Sequence, residues 1–100
     1  MIVIAGKVAV RPERRDEAVR AALAMAEATR KEDGCITYQF SSDLADRNLI
    51  FIFEEWESDE ALALHFQTEH MQVFRKQLPG LLAGPSTVKR YVVQSVSPMT

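Results

Sequence analysis

One hundred residues, 47% of them apolar and with a formal net charge of −2, suit one domain and leave no room for a second core. The 12 Lys and Arg side chains are scattered along the chain, so the clustered positive charge of a nucleic-acid binder is excluded, and no apolar run approaches the roughly 20 residues of a bilayer span. The single cysteine, Cys35, can form neither an internal disulfide nor a thiolate zinc site; with no basic leader over Met1 to Val10, a cytoplasmic protein without nucleic-acid or membrane partners is expected.

Ile2 to Val10 (IVIAGKVAV) is short and β-branched, and Pro12 follows where a helix can start without losing a hydrogen bond. From Glu13 to about Glu32 the positions Ala18, Val19, Ala22, Leu23, Ala26 and Thr29 recur at three- and four-residue steps, which predicts one helix with one buried stripe. Gly34 stops it, and CITYQFSS begins a second strand. The polar turn DLADRN, Asp43 to Asn48, joins that strand to a third as an antiparallel hairpin. Ser58 then caps a helix whose first turn carries Asp59 and Glu60, and Ala61, Leu62, His65 and Phe66 share its inner face. Thr68 is a second N-cap, so the helix breaks near Gln67 and restarts through Val73, Phe74 and Leu78 until Pro79-Gly80 ends it. A last strand runs from Thr87 to Val96. The order β-α-β-β-α-β predicts an α+β domain of the ferredoxin-like kind.

Strand three is too apolar for a sheet with one wet face. Leu49, Phe51 and Phe53 point one way and Ile50 and Ile52 the other, yet two helices cover only one side. The uncovered patch predicts a homodimer packed sheet against sheet. By the same alternation Glu54 and Trp56 join Ile50 and Ile52, at the start of the helix that carries Leu62, His65 and Phe66. An indole and an imidazole could therefore line one pocket between sheet and helices, as sites for small apolar ligands require. His70, five residues after His65 across the break, lacks the spacing of two ligands on one helix face, and no carboxylate sits at a recognisable third position, so no metal is expected. Glu54 is expected to form an ion pair with an Arg or Lys of a neighbouring strand.

The pattern Glu54-x-Trp56-x-Ser58-x-x-Ala61-Leu62-x-x-His65, followed by His70 and Phe74 and preceded by GCITY from Gly34 to Tyr38, resembles the antibiotic biosynthesis monooxygenase domain. The resemblance implies a dimeric α/β barrel of ferredoxin-like subunits and cofactor-independent oxidation of phenols, quinols or polycyclic aromatics by O2. It implies His65, Trp56 and Tyr38 as catalytic residues, with Phe53, Leu62, Phe66, His70 and Phe74 binding the substrate. His65 would take or relay a proton, Trp56, Phe53 and Phe66 would stack on or wedge the ring, and Tyr38 would hydrogen-bond a ligand oxygen. Isomerases and pure ligand binders of the same superfamily remain alternatives. Haem-degrading members use an Asn on the first strand, and IVIAGKVAV contains none.

Overall fold

The computed structural model describes residues 1–100. Its elements are β1 (Ile2–Ala9), α1 (Arg15–Thr29), β2 (Cys35–Ser42), β3 (Leu49–Trp56), α2 (Asp59–Phe66), α3 (Glu69–Leu81) and β4 (Thr87–Val92), with a 3-10 turn, Pro12–Arg14, leading into α1. The strands lie in the order β2-β3-β1-β4, and every neighbouring pair is antiparallel. The crossover through α1 leaves a gap beside β1, which β3 fills by folding back from β2. This is the ferredoxin-like α+β fold that the element order predicts.

Local chemistry explains most boundaries. The Asp43 carboxylate accepts from the Ala45 and Asp46 amides at 2.9 and 3.0 Å and so closes the hairpin turn. α1 ends at Thr29, short of the expected Glu32, with Arg30 N donating to Ala26 O; Gly34 adopts φ 85°, a left-handed conformation open to glycine without a Cβ penalty, in the turn that leads into β2. The Ser58 hydroxyl accepts from Ala61 N, and the Thr68 hydroxyl accepts from Met71 N, so both expected caps form.

Two further boundaries and the buried stripe of α1 differ from expectation. Pro79 and Gly80 do not end α3, which runs on to Leu81. A proline in the last turn removes only its own N–H, while Leu82 N still donates to Leu78 O at 3.0 Å and Arg14 Nη1 donates to the Gly80 carbonyl at 3.0 Å. β4 stops at Val92 instead of Val96, because β1 starts at Ile2 and offers nothing to pair with beyond the Val93 N to Met1 O bond. In α1 the buried positions are Met25, Ala26 and Thr29, while Leu23 is 65% exposed. The stripe is rotated toward Met25, which joins Ile2, Ala26, Tyr38, Trp56 and Leu62 in the core. No helix is long and apolar enough to cross a membrane.

The alternation on β3 falls as the sequence predicts. Ile50, Ile52, Glu54 and Trp56 face the helices, while Phe51 and Phe53 are 38% and 43% exposed on the open side. At Gly6 the chain leaves no room for a side chain, since a Cβ would run into the Thr87 carbonyl and the Val88 Cα of β4. Gly6→Ala is therefore expected to push the edge strand away and cost about 1–3 kcal/mol. The urea midpoint measures this, and an unchanged midpoint would refute the close approach.

Candidate functional site

The site begins on the inner face of β3. Two-residue spacing puts Glu54 and Trp56 side by side, and the Trp56 indole Nε1 donates to Glu54 Oε1 at 2.8 Å. Glu54 is 6% exposed and Trp56 fully buried. The expected ion pair is absent because the register partners of Glu54 are Ile4 on β1 and Tyr38 on β2, neither of them cationic. Burial, with a smaller push from the Glu32 carboxylate, raises Glu54 to about 7 against the opposing indole hydrogen bond.

α2 then brings Leu62 and His65 over this strand end, three residues apart and both buried. The His65 ring lies 4.7 Å from Trp56 and 5.8 Å from Tyr38, centroid to centroid. Its Nδ1 lies 2.7 Å from Glu32 Oε2; an imidazole nitrogen this close to a carboxylate oxygen carries the proton and donates it. That leaves Nε2 as the lone-pair nitrogen. Burial lowers the His65 pKa despite the Glu32 hydrogen bond, so the ring is neutral at neutral pH. Tyr38, 3% exposed, is pushed far up by burial and then by Glu54, so it stays a phenol and a hydrogen-bond donor.

The break between α2 and α3 completes the arrangement. The Thr68 hydroxyl donates to the His65 carbonyl at 2.7 Å while capping α3, which sets His70 in the first turn of α3 and swings it back toward α2. His70 Nε2 reaches the same Glu32 Oε2 at 2.7 Å. Glu32 therefore supplies, as a third ligand position, the carboxylate that the sequence does not disclose, and the reason for expecting no metal falls away. The ligand atoms of Glu32, His65 and His70 all lie within 4.8 Å of one another.

Between the sheet and α2–α3 lies a cavity of about 600 Å³, a size that suits an aromatic small molecule. Tyr38, Leu62, His65, Phe66 and Phe74 all line it, together with Phe40, Ile52 and Glu54. Phe66 is 41% exposed, with the Arg75 guanidinium 5.6 Å from its ring centre. The other residues named from sequence lie elsewhere. Trp56 backs His65 from within the core and does not line the cavity. His70 borders a separate outer cleft between α1 and α3. Phe53 is on the opposite face of the sheet, where strand alternation must send it if Ile52 and Glu54 face inward.

The antibiotic biosynthesis monooxygenase family model matches residues 1–77. The uncharacterized protein sll1783 of Synechocystis sp. is 37% identical over 92 residues, which is 92% of this chain but 63% of that protein's length. A Bacillus subtilis protein, "Putative monooxygenase YcnE", is 30% identical over 90% of this chain and 95% of its own length. Rv0793 from Mycobacterium tuberculosis has a solved structure that superposes with a TM-score of 0.89 at 26% identity, covering 97% of this chain and 98% of that one. With the family model spanning most of the chain, and with a near-full-length relative at that identity, the chain belongs to the antibiotic biosynthesis monooxygenase family.

Proposed function

We propose that the protein oxidises a phenolic, quinol or polycyclic aromatic molecule with O2, without flavin or metal, in the 600 Å³ cavity. The observation that carries this reading is His65 at the cavity wall, with Nδ1 committed to Glu32 and Nε2 free to accept a proton. A phenolate is electron-rich enough to pass an electron to O2. The protein therefore needs only to take the phenolic proton and exclude bulk water. The Tyr38 phenol is the donor for a substrate oxygen, and Phe40, Phe66 and Phe74 form apolar walls for the ring. The substrate supplies all the electrons: an activated ring CH2 becomes C=O, one oxygen atom enters the product, and the other leaves as water with the two hydrogens.

Oxygen uptake by the protein in chelator-treated buffer, with a panel of reduced naphthoquinones and catechols, is the test. Uptake matched by product is expected for at least one member. No turnover above the buffer rate across the panel, with a ligand still bound, would replace this reading by a binding or isomerase role.

The reading includes a homodimer. Only 11 of 100 residues are buried in the single chain, and Phe51, Phe53 and Tyr91 share the uncovered face of the sheet at 38%, 43% and 47% exposure. Each such side chain gains roughly 1.5–3 kcal/mol on full burial, so the six that two copies bring together work against the entropy of association. Sedimentation is expected to give twice the 11.3 kDa chain mass, and Phe53→Glu to give monomer. A stable 11.3 kDa particle at micromolar wild-type protein would end this part of the reading.

A further inference from the structure

We propose that Glu32, His65 and His70 form a binding site for one divalent first-row transition-metal ion, of which Zn2+ is the test case. Two imidazole nitrogens and a carboxylate are the set that such ions accept with positions left open for water or ligand. Here they come from three separate segments: the α1–β2 loop, α2 and the first turn of α3. Both imidazoles point at a single carboxylate oxygen, at 2.7 Å each, and the other oxygen has no hydrogen-bond partner in the protein. The ligand set contains one carboxylate, whose negative charge a divalent cation offsets.

The three ligand atoms must draw together around an ion. Ligand atoms held about 2.0–2.2 Å from a metal sit roughly 3–3.5 Å apart; the three ligand atoms span up to 4.8 Å, so the imidazole nitrogens must close on each other, which the part-exposed His70 ring allows, while Glu32 Oε2 withdraws by about half an ångström from both. Its side chain, 14% exposed and on a loop, can do this by a small torsional change. An entry path exists as well. The His70 side chain is 28% exposed and borders the outer cleft of about 500 Å³, whose lip carries Glu17 and Glu69 beside Arg20.

The site is separate from the proposed oxygenase chemistry, which uses the other nitrogen of His65, and its occupancy can be measured without turnover. The two are linked by one consequence, which does rest on the oxygenase reading. A metal on Nδ1 confines the ring proton to Nε2 and so turns the acceptor into a donor. A bound ion should silence the turnover.

The test is equilibrium dialysis of chelator-stripped full-length protein against Zn2+, with NMR of the imidazole signals. One ion per chain at micromolar or tighter affinity is expected, with His65 and His70, the only histidines in the chain, both shifting on titration. Glu32→Gln and His70→Ala should each weaken binding about 100-fold, at the upper end of what disturbing a metal site costs. Cys35→Ser should leave binding unchanged. Absence of saturable binding at millimolar Zn2+, unmoved wild-type imidazole signals, or full affinity in both ligand variants would each overturn the site. The NMR result stands even if a variant fails to fold. Full Zn2+ occupancy with unchanged oxygen uptake would instead overturn His65 as the base.

Discussion

Turnover by a His65→Gln protein is expected to fall about 10²- to 10⁴-fold, the usual contribution of a positioned general base, with a KM change of only a few fold. The split follows from the two kinds of group around the cavity. Phe40, Phe66, Phe74 and Ile52 line the cavity where the proposed ring would sit and are untouched by the substitution. The proton acceptor is lost. Glutamine is the informative replacement because its side-chain amide can still donate to Glu32, whereas alanine would leave a hole where a ring 1% exposed packs against Trp56. Steady-state oxygen uptake with circular dichroism as the fold control measures the effect. A variant that keeps wild-type kcat would remove His65 from the chemistry and leave the cavity a binding site.

The parts of this protein legible in sequence are those set by short-range periodicity and caps. Alternation along β3 places Ile50, Ile52, Glu54 and Trp56 on the covered face because a strand has no other way to arrange its side chains. Ser58 and Thr68 announce two helix starts, and the break between them positions His65 and His70. Three features were not legible. Glu32 is one charged residue in the stretch RKEDG, and nothing local distinguishes it from its neighbours until folding brings the α1–β2 loop against α2 and α3. The partner of Glu54 is set by register: strand pairing puts Ile4 and Tyr38 beside it in place of a cation, and the donor it finds is the Trp56 indole. Phe53, which the family resemblance implies in substrate binding, lies on the opposite face of the sheet from the cavity, where strand alternation sends it. In each case an indication from type or motif gave way to side-chain direction, which follows from backbone geometry.

Glu54 should make the protein less stable as pH rises, the reverse of a carboxylate held by a cation. Burial raises it from an ordinary 4.5 to about 7. Between those two values the folded chain holds a proton that the unfolded chain has released, so folding loses stability as pH climbs through this window. The contribution is complete below the unfolded value and gone above the folded one. At 1.36 kcal/mol per unit the loss is about 3 kcal/mol per chain. His65 acts the other way, because its lowered folded value withdraws stability as pH falls through its unfolded value near 6.5. The wild-type profile therefore mixes two opposing slopes, and the difference from a Glu54→Gln variant isolates one of them. Glutamine keeps an acceptor for the Trp56 indole and cannot ionise. Measured by urea unfolding at fixed protein concentration in chelator, the stability of Glu54→Gln relative to wild type is expected to rise by about 3 kcal/mol from pH 4 to pH 8. Holding the concentration constant matters because association adds its own linkage. A difference that stays flat across that range would mean that Glu54 is ionised in the folded protein with its charge satisfied, and that the polar centre of the cavity is a carboxylate instead of an acid.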